Sequence, residues 1–400
     1  MMNAYIYDGL RTPFGRHAGA LAPVRPDDLL AGVIKTLVAR NPFKPEAYED
    51  SVIGCTNQAG EDARNVARHA ALLAGLPTSI GGITVNRLCG SGLAAICDAA
   101  RAANSGQGEL FVAGGVESMS RAPFVMAKSE SAYAREVRVF DSTIGARFPN
   151  PKIGKSFGQD TMPETADNVG RDLAITRESS DRFAVGSQEK YAKAKGAGFF
   201  EAEIAPVSVP GAKKGTETVV ALDEHPRPNT TLERLQELKP LFQNGVVTAG
   251  NASGINDGAG ALIVGTREAG EKNGKTPIAR VVSAAIAGVE PRVMGLGPVP
   301  AAKKALQRAG LALKDIDMIE INEAFATQVL GCLKLLELPE DDARVNPNGG
   351  AIAVGHPLGA SGARIALTAI RELQRRKARY ALVSMCIGVG QGIAAILERV

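Results

Sequence analysis

No stretch of this chain stays apolar for the roughly 18 residues that a membrane span needs, and the N-terminal MMNAYIYDGLRTPFGR has no apolar signal core. A cytoplasmic, reducing setting is the expectation. Regular cysteine spacing is missing too. Cys55, Cys89, Cys97, Cys332 and Cys386 form neither a CxxC pair nor a framework, which argues against disulfides and structural zinc. A special cysteine here is expected to be a reactive one. Charge of one sign is not in large excess: the formal net charge is +4, too mild to imply a nucleic-acid partner. The densest basic run, Arg375, Arg376, Lys377 and Arg379, follows a helical segment, where it would offset the helix dipole.

What is present is an ordinary globular composition, 45% hydrophobic and 22% charged, with 45 glycines for tight turns. Its 400 residues exceed one ordinary core and suggest on the order of two or three domains. Strand-like runs (AYIYDGL, SVIGCT, ITVNRL, ELFVAGGVES) alternate with helix-like ones (DDLLAGVIKTLVARN, NVARHAALLAGL) over the first 120 residues, the pattern of an α/β layer fold. Residues 121–246 are richer in charge and proline and read as an insertion. The regular pattern returns at 247–272 and, after a polar linker, continues over 273–400. The two ends also resemble each other: EDSVIG parallels DIDMIEIN, VNRLCGSGLAAICDAARAA parallels VNPNGGAIAVGHPLGASGARIALTAIREL, and LFVAGGVESMS parallels YALVSMCIGVGQG. Three matches in one order point to an internal duplication. The expected domains are a first half (1–120 plus 247–272), an insertion (121–246) and a second half (273–400).

The stretch VNRLCGSGLAAICDAARAAN, residues 85–104, places Cys89 between a β-branched run and a segment with helical apolar spacing. Unpaired N–H groups and the positive end of the dipole favour thiolate at such a junction, and Gly90 and Gly92 leave room around the sulfur. A buried small thiol is the plain alternative. Three later stretches combine reactive side chains with glycine or a helix start. In INEAFATQ, Asn322 ends a strand and Glu323 opens a helix. In GGAIAVGHPLGASG, residues 349–362, His356 lies among glycines, and in SMCIGVGQG, residues 384–392, Cys386 ends a strand. Singly, these could be a backbone-bonded histidine, an N-cap and a buried thiol. Together they supply a nucleophile, a base, a polarising amide and a second proton carrier, the set that acyl transfer requires.

At these residues the chain resembles the thiolase family: VNRLCGSG, NEAF at 322–325, GHPLGASG and CIGVGQG match its motifs, and the likeness runs from YIYDGLRTPFGR through VTAGNASGINDGAG to the end. Val389 departs from the pattern, standing where many thiolases have glycine. The resemblance implies a five-layered αβαβα fold of two similar halves with an inserted loop domain. It implies Cys89 as the acylated nucleophile, activated by His356, with Cys386 as acid and base. Asn322 would hold a water that, with His356, stabilises an enolate oxygen. The N–H groups of Cys89 and Gly388 would form a second oxyanion hole. The loop domain would bind CoA, with Arg227 near its adenine or phosphate, Met162 along the pantetheine and Ser253 on a pantetheine amide. CoA is then a substrate, no further cofactor and no metal is implied, and a homo-oligomer, dimer or tetramer, is expected.

Within the family the likeness is to the 3-oxoadipyl-CoA thiolases of aromatic-compound degradation, in DSTIGARFPNP (141–151) and MPETADNVG (162–170). Their substrate ends in a carboxylate, which Lys128, Arg135, Arg138, Arg147, Lys152 or Lys155 could meet. A general acetyl-CoA acetyltransferase is the near alternative. Two other classes are weaker. GSGLAA (90–95) fits a GxGxxA dinucleotide fingerprint but leaves His356 and Cys386 unused, and a non-catalytic acyl-CoA-binding protein would not need the intact set. GEKNGKT (270–276) is one residue short of a P-loop and precedes a strand-like run.

Overall fold

The computed structural model describes residues 2–211, 213 and 215–400. The first half supplies strands β1 (Ala4–Arg11), β2 (Gly15–Arg16), β3 (Asp50–Gly54), β4 (Ile83–Val85) and β5 (Leu110–Ser118), with helices α1 (Pro26–Ala39), α2 (Val66–Leu73) and α3 (Ser91–Asn104). The central segment holds two hairpins, β6 (Phe124–Met126) with β7 (Val139–Asp141) and β8 (Val207–Pro210) with β9 (Glu217–Val220). Its helices are α4 (Pro151–Phe157), α5 (Met162–Asp172), α6 (Arg177–Gly196) and α7 (Leu232–Gln236). Strand β10 (Asn256–Gly265) and helix α8 (Arg267–Lys272) return to the first half. The second half contains β11 (Ala279–Gly288), α9 (Pro298–Ala309), β12 (Met318–Ile321), α10 (Ala326–Leu335) and α11 (Ala351–Val354). It closes with α12 (Leu358–Arg376), β13 (Tyr380–Ile387) and β14 (Gln391–Arg399).

Period-two alternation decides the layering. Leu262 and Val264 of β10 face one way, into a core shared with α3 and α12, while Ala261 and Ile263 face the other, onto α1 and α2. In the second half Ala395 and Leu397 of β14 face α3 and α12, while Ala394 and Ile396 face α9. The result is five layers: α1 with α2, the first half's strands, α3 with α12, the second half's strands, and α9 with α10. The two strand layers join along one edge, where β1 pairs with β11 from Ala4↔Val281 to Ile6↔Ala279, so the ten strands count as one sheet.

The duplication read from the sequence is visible strand by strand. In the first half β3 is parallel to β5, β5 antiparallel to β10, and β10 antiparallel to β1. In the second half β12 is parallel to β13, β13 antiparallel to β14, and β14 antiparallel to β11. Even the irregularities correspond: β1 shifts register between Ile6 and Asp8, and β11 between Val281 and Ser283. Each bulge adds one residue to the strand and sharpens its twist at the same place in its half.

The central segment is tied to β1 by buried charge. Arg11 donates to both carboxylate oxygens of Asp223 at 2.7 and 2.9 Å and to Glu203 at 3.1 Å. Lone buried charges would be costly; this fork-and-carboxylate geometry offsets much of that cost. The basic run lies at the end of α12, with Arg375 and Arg376 in its last turn, and it also forms ion pairs. Arg375 and Arg376 pair with Glu372, Arg379 pairs with Glu398, and Lys377 closes the helix in a left-handed conformation.

Candidate active site

Cys89 lies in the turn between β4 and α3, one residue ahead of Gly90, the N-cap of α3. The turn is tight because Leu88 takes φ +45° and Ser91 reaches back, its backbone N–H and hydroxyl both donating to the Leu88 carbonyl at 3.0 and 2.6 Å. Gly92 follows because nothing else fits: a Cβ there would lie 2.4 Å from the Gly359 carbonyl oxygen. At Gly362 of α12 a Cβ would lie 2.1 Å from the Leu93 nitrogen. The N-terminal ends of α3 and α12 therefore abut, and these are the ends that carry Cys89 and His356.

His356 is buried just before α12 and pinned at two atoms. Its backbone N–H donates to Asn256 Oδ1 at 2.9 Å, and its Nδ1 lies 2.6 Å from Ser361 Oγ. The Ser361 hydroxyl has one proton, and the Pro357 carbonyl at 2.9 Å can only accept it. Both contacts are satisfied when Nδ1 carries the ring proton and donates to Ser361, which leaves the lone pair on Nε2. Burial and then the Arg364 guanidinium push the imidazole pKa down to about 3, so the ring is neutral at physiological pH.

Nε2 faces Asn322, whose Nδ2 is 3.4 Å away. Asn322 follows β12, and its buried Oδ1 has no hydrogen-bond partner among the described residues. Such an atom suits a bound water or a substrate donor. The sequence expectation that Glu323 opens a helix is corrected here. Helix α10 begins at Ala326, because the Glu323 carboxylate is held outside it by Ser187, Asn346 and the Ile352 N–H at 2.6, 2.8 and 3.1 Å.

Cys386, near the end of β13, is fully buried among Ala166, Val247, Met294 and Phe325. Burial raises its pKa well above the ordinary thiol value, and the Cys89 thiol beside it adds to the rise. The β13–β14 turn then brings the Gly388 N–H to the Cys89 sulfur. Cys89 does not rest as the thiolate that its position near a helix start suggested. Burial pushes its pKa up to about 11, against the opposing pull of the Gly388 and Cys89 N–H groups, and Glu117 raises it further. Both thiols are protonated at neutral pH, so either would need a base to become a thiolate.

Met162, the first residue of α5, reaches this centre: a Cβ on Gly388 would lie 3.7 Å from its sulfur and 3.3 Å from Leu88 Cδ1. Ser253 sits against the loop that carries Asn322, its N–H donating to the Ala324 carbonyl at 2.9 Å. Arg227 is not drawn in. Its backbone N–H bonds Gln188 Oε1 at 2.9 Å, and its side chain is exposed without an ion-pair partner among the described residues. Of the candidate cations Lys128, Arg135, Arg138, Lys152 and Lys155 are exposed, whereas Arg147 is half-buried. Arg147 Nη2 donates to the Ser142 carbonyl at 2.5 Å, and its buried Nε has no hydrogen-bond partner among the described residues. Sequence reasoning missed Ser361 and Asn256, each of which holds His356 through one hydrogen bond, and Glu117, which accepts three backbone N–H groups around the site. Ser361 and Asn256 lay inside glycine-rich stretches already singled out; Glu117 had no local signal.

Residues 4–268 match the model of the thiolase N-terminal domain and residues 275–399 that of the thiolase C-terminal domain. The chain is 60% identical to the 3-oxoadipyl-CoA/3-oxo-5,6-dehydrosuberyl-CoA thiolase of Escherichia coli K12, over 100% of both chains. It is 56% identical to a beta-ketoadipyl-CoA thiolase of Acinetobacter baylyi, again over 100% of both. Among solved structures, human mitochondrial 3-ketoacyl-CoA thiolase superposes with TM-score 0.92 at 40% identity, covering 100% of this chain and 99% of that one. The Bacillus anthracis acetyl-CoA acetyltransferase superposes with TM-score 0.93 at 38% identity, with coverage of 100% and 99%.

Proposed function

Because the chain belongs to the thiolase family, we propose that it is a thiolase that cleaves 3-oxoadipyl-CoA with CoA, giving acetyl-CoA and succinyl-CoA. The activity rests on one observation above all: the protonated thiols of Cys89 and Cys386 neighbour each other, the neutral His356 ring turns Nε2 to the Asn322 amide, and the two helix starts behind Cys89 and His356 abut. The substrate rests on the full-length identity of 60% to a 3-oxoadipyl-CoA thiolase, against 38% for the acetyl-CoA acetyltransferase.

In this reading His356 Nε2 takes the Cys89 proton while the sulfur attacks the substrate's C3 ketone. The oxyanion accepts from the N–H groups of Cys89 and Gly388. The C2–C3 bond then breaks, its electron pair passes to C2, and Cys386 protonates that carbon to release acetyl-CoA. Asn322, through a water, and His356 hold the enolate oxygen meanwhile. The Cys386 thiolate next takes the proton of a CoA thiol, whose sulfur collects the succinyl group from Cys89, and His356 returns the Cys89 proton. The sequence is ping-pong, with CoA as a substrate rather than a cofactor.

CoA would lie along Met162 and Ser253, with Arg227, exposed and unpaired among the described residues, free to meet its adenine or phosphate. Arg147 is the best-supported partner for the distal carboxylate, being half-buried with an unpaired Nε among the described residues. Replacing it by glutamine should raise KM for 3-oxoadipyl-CoA about tenfold or more and leave acetoacetyl-CoA turnover unchanged. Equal effects on the two substrates would remove Arg147 from this role. Equal specificity constants of the unmodified enzyme for the two substrates would instead favour a general acetyltransferase.

No helix among the described residues is long and apolar enough to cross a membrane, and the five free cysteines suit a cytoplasmic setting. A homo-oligomer, dimer or tetramer, is supported by β4 at the open edge of the sheet with Ile83 exposed, and by exposed Phe124, Met126, Ile144 and Phe148 in the central segment. Light scattering at micromolar concentration tests it; a monomer would contradict it.

A further inference from the structure

We propose that Glu117 is a positioning residue for the acyl transfer: from the end of β5 its buried carboxylate ties the loop after β3 to the first turn of α12, and so sets His356 against Cys89. This rests on the thiolase reading above and adds a residue to it. Glu117 Oε2 accepts the backbone N–H of Thr56 at 3.0 Å and that of Gly359 at 2.9 Å. Oε1 accepts the N–H of Asn57 at 3.1 Å, with the Cys55 sulfur 3.9 Å away. Three N–H donors fit a carboxylate and none calls for a neutral acid. Thr56 and Asn57 belong to the first half and Gly359 to the second, so one buried side chain spans both.

The position of Gly359 gives this bond its consequence. Helix α12 starts at Leu358 behind Pro357, which offers no side-chain cap. Glu117 supplies the missing acceptor from another strand, at the helix end where a negative charge is favoured. His356 lies immediately before that turn. This first turn of α12 packs closely on β5, where a Cβ at Gly359 would lie 2.3 Å from the Val116 carbonyl oxygen. Among the described residues Glu117 is also the group whose charge acts on the Cys89 thiol, raising its pKa. From the other elements packed on the thiol come neutral groups, Cys386 of β13 and the Gly388 N–H.

Glu117→Gln keeps the shape but turns an NH2 toward at least one backbone N–H, and it removes the charge. Glu117→Asp keeps the charge but is too short to hold all three donors. For Glu117→Gln, kcat with 3-oxoadipyl-CoA should fall about tenfold to a hundredfold while KM changes less than about threefold. The pH midpoint for alkylation of Cys89 should move down, since a negative neighbour is gone. For Glu117→Asp, kcat should fall by about fivefold or more with an unmoved midpoint. If the glutamine variant does not fold, the aspartate variant decides. Wild-type kcat in a folded variant of either kind, or a lower melting temperature with kcat and midpoint both unchanged, overturns the proposal. Acyl adduct formation on Cys89 of the unmodified enzyme is measured alongside. Its absence would refute the thiolase reading, whereas adduct formation with unaffected Glu117 variants would refute only this inference.

Discussion

Burial raises the Cys89 pKa to about 11 and lowers that of His356 to about 3, so the pair rests as thiol and neutral imidazole across the physiological range. Activity should therefore show no loss attributable to His356 between pH 8 and about pH 5, whereas an unperturbed histidine would titrate near 6.5. An acidic limb centred near 6.5 that vanishes on replacing His356 would contradict this. Ser361→Ala removes the acceptor that fixes the ring tautomer. We expect kcat to fall about tenfold with KM nearly unchanged, since the second group in such a relay orients the base without touching substrate. At Val389 the departure from the family pattern acquires a physical cost. It adopts φ +64°, a left-handed conformation that is a strained outlier for a β-branched residue, and its side chain is 62% exposed. Val389→Gly should therefore not lower stability by denaturant titration, although it removes a whole side chain. Residue types and spacing singled out Cys89, His356, Asn322 and Cys386 as the proposed site in the sequence, because each stands beside glycines or at an element boundary. Protonation states were not legible, since they depend on burial, and neither was Glu117, whose partners are 61, 60 and 242 residues away.

At the scale of elements, the active centre depends on how closely α3 and α12 approach. Adding a methyl at Gly92 or Gly362 places Cβ against backbone, which cannot rotate aside. Gly92→Ala and Gly362→Ala should each cost roughly 3 kcal/mol or more, or prevent folding, in reversible denaturation. Gly32→Ala and Gly186→Ala are the controls. Both glycines lie inside helices, α1 and α6, with nothing within 4 Å of a new Cβ. They should stabilise by about 0.5–1 kcal/mol. If all four variants behaved alike, close helix approach would not be what these glycines provide. The alternation of strand and helix in the outer layers was legible from period-two and helical spacing. The start of α10 was not: NEAF looks like the opening of a helix, and only the distant partners Ser187, Asn346 and Ile352 keep Glu323 out of it.

For the whole molecule, two buried histidines couple stability to pH. Burial lowers His225 to about 4 and His356 to about 3, both below the unfolded value near 6.5. Between these limits the unfolded chain binds protons that the folded chain does not, so stability falls as pH drops from about 6.5 toward 4. Each histidine contributes on the order of 3 kcal/mol to that loss by pH 4. His225→Asn should remove its share of the slope, and an unchanged slope would mean His225 is not held neutral. The two-half architecture was legible as three ordered sequence parallels. The matching bulges and the β1–β11 seam were not, because they arise from backbone pairing that leaves no mark in composition. The central claim is an acyl group carried on Cys89. Its most direct test is intact and peptide mass spectrometry after mixing the protein with 3-oxoadipyl-CoA in the absence of free CoA. The account predicts a succinyl adduct on Cys89 that free CoA then removes. Folded protein with no adduct on Cys89, from this substrate or from acetoacetyl-CoA, would contradict it.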